Sequence, residues 1–188
     1  MTLLVVGLVL FLGAHLVPTG PALRASFLAR WGEGRYKGAF SLASFAGLAL
    51  IVVGYWMAGP GERLFAPLPA AIAIAPYAVP LAFILFAAAN MRTHIRRAVQ
   101  HPMLLGLLIW AGVHLLANGD TRGTVLFAAF VAYALVDLAS AIRRHAVKTF
   151  TPTARHDVIA IVAGTLLALA VMTLHRPLFG PAVVSFGV

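Results

Sequence analysis

Hydrophobic residues form six long blocks, and most polar and basic residues lie between these blocks. The blocks cover residues 2–17, 38–58, 67–90, 102–117, 122–142 and 157–175. The hydrocarbon core of a bilayer is about 30 Å thick, and an α-helix of about 20 apolar residues crosses it. The pattern therefore predicts an all-α integral membrane protein, a bundle of about six transmembrane helices.

The polar stretches are too short to fold separately, so residues 1–188 are expected to form one transmembrane domain. The first block lacks the basic leader of a secretory signal, and we interpret it as the first spanning helix. After it, ALRASFLARW alternates basic and apolar residues with helical spacing. This segment predicts a short helix on the membrane surface that ends at Gly32 and Gly34.

The basic residues are distributed unevenly between the polar segments. The first, third and fifth loops contain eleven of the 14 lysines and arginines, namely Arg24, Arg30, Arg35, Lys37, Arg92, Arg96, Arg97, Arg143, Arg144, Lys148 and Arg155. The other three are Arg63, Arg122 and Arg176. The positive-inside rule then predicts that the three basic loops are cytoplasmic and that both termini lie outside. Topology thus accounts for the net charge of +9, and the expected partner is the lipid bilayer, not a nucleic acid.

The chain contains no cysteine, which limits the chemistry it can support. Disulfides, thiolate zinc sites, iron–sulfur clusters and cysteine nucleophiles are excluded, whereas metal or haem ligation by histidine is not. Any haem would have to be bound without covalent attachment, as a b-type haem.

Of the seven histidines, His15 and His114 lie within predicted spans, and His175 is at the end of the last one. Ionisable groups in the hydrocarbon region usually face a bundle interior, a cavity or a ligand. Residues three or four apart share a helix face, and His114 lies on a stripe with Trp110 and Asn118. A packing or interhelical hydrogen-bonding role is one interpretation. The other is axial ligation of haem b, because two imidazoles from facing helices form such a site.

Three further observations leave the site open. Asp137 is the only carboxylate away from the ends of the predicted spans, and it could accept a hydrogen bond from a ligating imidazole or pair with Arg144. His101 precedes Pro102 at the start of a helix, where a local structural role competes with that of an alternative ligand. At about 1.5 Å per residue, His114 lies about 18 Å from the predicted cytoplasmic edge and His15 about 9 Å. Periodicity therefore does not establish that both reach the same iron.

Three segments together resemble the NnrU family of bacterial membrane proteins: LFLGAH, GEGRYKGAFSLASFAGL and QHPMLLGLLIWAGVHLLANGD. The resemblance extends over nearly the whole chain. It implies a multi-pass protein of the bacterial inner membrane with a role in nitric oxide metabolism linked to denitrification.

The NnrU family is distantly similar to 15-cis-zeta-carotene isomerase, a membrane enzyme that uses haem b in a redox-gated isomerisation of an apolar substrate. By motif, the histidines implicated in that enzyme correspond to His15 and His114. The isomerase has a cysteine three residues before the second histidine, whereas this chain has Ala111. The resemblance therefore implies neither redox switching of ligands through a cysteine nor carotene isomerisation itself.

Two other functions remain open. HPMLLG is similar to a motif of membrane methyltransferases that use S-adenosylmethionine, but Gln100 and Leu104 replace its arginine and tyrosine. No acidic cytosolic segment follows. The other alternative is a non-enzymatic accessory membrane protein in which the histidines have structural roles.

Overall fold

The computed structural model describes residues 1–179, apart from the side chains at 177 and 178. Within this range seven α-helices follow one another: α1 Thr2–Leu16, α2 Pro21–Ala58, α3 Pro69–Ala88, α4 His94–Val99, α5 Pro102–Asn118, α6 Thr121–Arg143 and α7 Ala154–Phe179. The described residues contain no β-strand, only an isolated bridge between Arg63 and Asp120. The prediction of an all-α protein is confirmed.

Five of these helices (α1, α2, α3, α6 and α7) are long and apolar enough to cross a membrane. The sixth predicted span is α5, whose 17 residues extend about 25 Å at 1.5 Å per residue. Most residues of the five long helices are not buried within the protein, and their exposed side chains are largely aliphatic. Such surfaces suit lipid, which solvates apolar side chains as well as a protein interior does. The chain is therefore a multi-pass helical membrane protein.

The predicted surface helix is the first part of α2, and it ends at Gly32. This residue has a φ of 73° and a ψ of 164°, outside the helical region, and it separates residues 21–31 from the long apolar part of α2. A positive φ is accessible to glycine at little cost, which explains the break here. Gly34 continues the helix, so only one of the two glycines ends it.

The helices belong to two compact units, each built from two separate stretches of chain. Unit 1 comprises Met1–Phe65 with Gly119–His145 and contains α1, α2 and α6. Unit 2 contains α3, α4, α5 and α7.

In unit 1, α1 and the second half of α2 pack with their backbones in contact. A Cβ atom on Gly7 would lie 2.6 Å from the Ile51 nitrogen, and one on Gly47 would lie 2.7 Å from the Phe11 nitrogen. Gly54 approaches the backbone of Leu4 in the same way. Small residues permit this close approach in membrane helices, where dispersion forces replace the hydrophobic effect.

In unit 2, α3 packs against both α5 and α7. Gly106 of α5 lies against the carbonyl of Ala82, and Gly164 of α7 lies against the backbone of Ile84. From the sequence alone, Gly106 and Gly112 are both expected to permit close approach of another helix to α5, and for Gly106 this is confirmed. The same expectation for Gly112 is wrong, because no described atom lies within 4 Å of the place where its Cβ would be.

Contacts within each unit join loops that the charge pattern assigns to the same side. In unit 1, the Leu64 N–H donates to the Gly119 carbonyl at 2.8 Å, which joins the second loop to the fourth. At the other end of unit 1, the Ser140 hydroxyl donates to the carbonyl of Thr19 in the first loop at 2.7 Å. In unit 2, the Thr153 N–H donates to the Arg92 carbonyl at 2.9 Å, which joins the fifth loop to the third. These pairings agree with helices that alternate in direction.

Candidate functional site

His15 lies in the last turn of α1, and a backbone hydrogen bond determines its tautomer. Its Nδ1 is 2.7 Å from the carbonyl oxygen of Phe11, one helical turn earlier. A carbonyl only accepts, so Nδ1 carries the proton and donates. The lone pair is then on Nε2, which is the arrangement found when a histidine binds a metal.

Aromatic rings from all three helices of unit 1 surround this imidazole. Its centroid is 4.3 Å from that of Phe11 on α1 and 5.0 Å from that of Phe40 on α2. The ring of Tyr133 on α6 meets it edge-on at 6.2 Å. His15 is thus held between aromatic side chains of three helices.

A polar chain runs from this cluster to the end of α6. The Tyr133 hydroxyl donates to Asp137 Oδ2 at 3.0 Å, and the other carboxylate oxygen lies 3.9 Å from an Arg144 nitrogen. Arg144 Nε donates to the Ser140 hydroxyl at 3.0 Å. Of the two roles considered for Asp137, the pairing with Arg144 is therefore present. The His15 Nδ1–H instead donates to the Phe11 carbonyl. Asp137 bonds Tyr133, whose ring contacts that of His15.

Sequence reasoning missed Tyr133 and Phe40. Tyr133 precedes Asp137 by one helical turn, and this i, i+4 spacing could have identified the pair. Phe40 carried no such signal, because its contact with His15 depends on how α1 packs against α2.

A groove of about 560 Å³ lies beside Phe40 in unit 1. Its lining combines three cations with polar and aromatic side chains: Pro18, Arg24, Tyr36, Lys37, Phe40, Ser41 and Arg144. Two of the cations also pair with carboxylates, since Lys37 lies 2.7 Å from Glu33 and Arg144 approaches Asp137. The groove joins the aromatic cluster of His15 to a basic, polar surface.

His114 of unit 2 repeats the local arrangement of His15. Its Nδ1 is 2.7 Å from the carbonyl oxygen of Trp110, and the Trp110 ring lies 5.2 Å away. The Asn118 side-chain N–H₂ donates to the His114 carbonyl at 2.7 Å. Trp110, His114 and Asn118 therefore form the continuous stripe on α5 that the sequence predicted. All three are half-buried, whereas the fully buried side of α5 contains Leu104 and Ala111.

Two more histidines of unit 2 have neighbours that the sequence did not indicate. The ring of His175 on α7 lies 6.4 Å from that of His114, at an angle of 31°. His94 is exposed, and its Nδ1 is 2.5 Å from Asp157 Oδ2 while its backbone N–H donates to Asp157 Oδ1 at 2.7 Å. These contacts pin the start of α4 to the start of α7.

His101 lies between α4 and α5, and its backbone has a structural role. Its N–H donates to the Val99 carbonyl at 2.6 Å, and its carbonyl accepts from the Leu105 N–H at 3.1 Å. Pro102 follows as the first residue of α5, as predicted for a residue that has no N–H to donate.

The candidate residues are divided between the units. His15 and Asp137 belong to unit 1, and His101, Trp110, His114 and Asn118 belong to unit 2. Among the described residues there is no group of three or more histidine, aspartate or glutamate side chains arranged to hold a metal ion.

Comparison with known proteins identifies one family. The model of the family described as NnrU protein matches residues 3–183, which is nearly the whole chain. No curated protein and no solved structure matches this chain.

Proposed function

The chain belongs to the NnrU family, and we propose that it is a protein of the bacterial cytoplasmic membrane that binds haem b through His15 and His114. Bound haem would supply one-electron chemistry. That chemistry would serve nitric oxide metabolism linked to denitrification, or a redox-gated isomerisation of an apolar substrate.

The observation that carries this proposal is the shared tautomer of the two histidines. Each donates its Nδ1 proton to the carbonyl one turn earlier, from His15 to Phe11 and from His114 to Trp110. A histidine that ligates a metal usually donates its second ring N–H to a carbonyl or carboxylate, which orients the ring and raises its basicity. This arrangement supports ligation through Nε2 at both side chains.

The surroundings of His15 suit the two chemical parts of a porphyrin. The rings of Phe11, Phe40 and Tyr133 offer the apolar contact that a macrocycle needs. The basic groove beside Phe40 contains Arg24 and Lys37, which would pair with propionates. In this proposal Asp137 orients Tyr133, and on α5 Trp110 and Asn118 fix the position of His114.

An absorption spectrum of detergent-purified protein from haem-supplemented cells tests the proposal. We expect a Soret band in the wild type that is weakened in His15→Ala and in His114→Ala and absent from the double variant. His145→Asn is the matched control, because His145 is exposed and lies outside the surroundings of His15 and His114. Its φ of 48° is one that asparagine tolerates. A colourless wild type, or a full Soret band in both single variants, would contradict the proposal.

The packing of the rings favours a second candidate, an accessory protein with structural histidines. Each imidazole contacts aromatic neighbours and has one nitrogen satisfied by the backbone, as a purely structural residue would. In that case the alanine variants lower stability while the wild type shows no haem spectrum. Thermal unfolding measured beside the spectra separates the two functions.

A further inference from the structure

A second basic groove, of about 410 Å³, lies in unit 2 between α4 and the chain that leads into α7. Three cations line it, together with polar and apolar side chains: Arg96, Arg97, Gln100, Val147, Lys148, Thr149, Phe150, Thr151 and Pro152. Its volume falls within the range of about 300–1,000 Å³ that is common for small-molecule sites. The lining contains no carboxylate.

Contacts on both sides hold this groove in shape. The Arg96 guanidinium lies 5.1 Å from the centroid of the Phe150 ring, which fixes one wall against the other. The Thr93 hydroxyl accepts from the Arg96 N–H at 2.9 Å and caps α4. The hydrogen bond from Thr153 to the Arg92 carbonyl and the His94–Asp157 pair anchor the other side.

The charge of this unit is strongly unbalanced. Residues 66–118 and 146–188 contain six lysines and arginines but a single carboxylate, Asp157. That carboxylate is paired with His94, outside the groove. The cations of the groove are therefore not neutralised by any carboxylate in its lining, and their mutual repulsion would be relieved by an anion.

We propose that this groove binds the phosphate group of an anionic phospholipid. Arg96, Arg97 and Lys148 supply the charge, while the side chains of Gln100 and Thr149 supply further hydrogen-bond donors. Phosphate oxyanions are the usual partners of such clusters, and arginine binds them with two parallel hydrogen bonds.

Two observations favour a lipid over a soluble phosphate. Val147, Phe150 and Pro152 add an apolar surface to the lining, which suits the glycerol and upper acyl region of a lipid. The groove is also lined by residues of the third and fifth loops, which the charge pattern assigns to the cytoplasmic surface of the membrane, where headgroups lie. Basic pockets between membrane helices on the cytoplasmic side are a known mode of anionic lipid recognition.

Native mass spectrometry of the detergent-solubilised protein tests this site with dioleoylphosphatidylglycerol and dioleoylphosphatidylcholine. The test variant is Arg97→Gln/Lys148→Gln, which leaves the packing of Arg96 on Phe150 intact. The control is Arg92→Gln/Arg155→Gln, which removes the same charge from the same loops at side chains outside the groove lining. Thermal unfolding and gel filtration establish that each variant is folded, and Arg97→Gln alone serves if the double variant is not.

The expected result is a preference of the wild type for phosphatidylglycerol over phosphatidylcholine. Each basic residue contributes about fivefold to such binding, so the groove variant should bind about 25-fold more weakly while the control binds like the wild type. An equal loss of phosphatidylglycerol binding in the two double variants would overturn the proposal, because binding would then depend on the total charge of the loops. Displacement of the lipid by a large excess of inorganic phosphate would assign the groove to a soluble phosphate instead.

Discussion

The close contact between Gly47 and Phe11 predicts that His15 keeps its position only while α1 and α2 pack closely against each other. In Gly47→Ala the new methyl carbon would lie 2.7 Å from the Phe11 nitrogen and 2.9 Å from its Cα and Cβ atoms. Two of these are backbone atoms, which no rotamer change moves away. The helices must therefore separate, and the Phe11 carbonyl that accepts the His15 proton moves with α1.

The cost follows from the size of the clash. An extra methyl group in a well-packed interior typically destabilises by about 1–3 kcal/mol. For a protein of this length, about 1 kcal/mol lowers the melting temperature by about 2–4 °C. We therefore expect Gly47→Ala to melt between about 2 and 12 °C below the wild type.

Thermal unfolding in a mild detergent, followed by circular dichroism, measures this difference. Gly38→Ala is the matched control, since it makes the same change in the same helix at a place where no described atom lies within 4 Å of the new carbon. Alanine is the better helix former by about 1 kcal/mol, so the control should melt at or above the wild-type temperature. A Gly47→Ala variant as stable as Gly38→Ala would refute the close contact between α1 and α2.

Three further measurements test other parts of the structure. Tyr133→Phe removes the hydroxyl that donates to Asp137 within α6, and titration with sodium dodecyl sulfate should show a loss of about 0.5 kcal/mol, as for other i, i+4 side-chain pairs on one helix; no loss would mean that the bond is not formed. Reporter fusions at Arg63 and Arg97 should report opposite compartments, and identical compartments would contradict the alternating topology. Because the chain has no cysteine, Trp110→Cys and Leu116→Cys are labelled without background. A lipid-soluble maleimide should react faster at Leu116, which is 47% exposed on another face of α5, and equal rates would contradict the orientation of α5.

The sequence by itself determined the class of the protein and the approximate positions of its membrane helices. Apolar blocks of about 20 residues have one stable form in a bilayer, because the backbone must satisfy its own hydrogen bonds there. The local setting of His114 was also readable, since Trp110 and Asn118 are one helical turn away on either side. Gly32 was predicted as a break because this glycine directly follows a segment that alternates basic and apolar residues with helical spacing.

Only the tertiary structure decided which side chains from different helices meet. The aromatic cluster of His15 combines α1, α2 and α6, and Phe40 lies 25 residues from His15 in sequence. Helical periodicity records which residues share a face of one helix, but it does not record which helix that face meets. For the same reason, the pairing of His94 with Asp157 was not predictable.

The two roles considered for Asp137 show the same limit at one residue. Spacing within α6 allowed a partner at either end of the helix, and both the link to Arg144 and a link towards His15 agreed with it. The structure joins the carboxylate to Tyr133 and Arg144, while the His15 proton goes to the carbonyl of Phe11. A backbone carbonyl one turn away is present at every position of a helix. The residue pattern therefore does not indicate whether a side chain donates a hydrogen bond to it. The three-dimensional position of each side chain decides it.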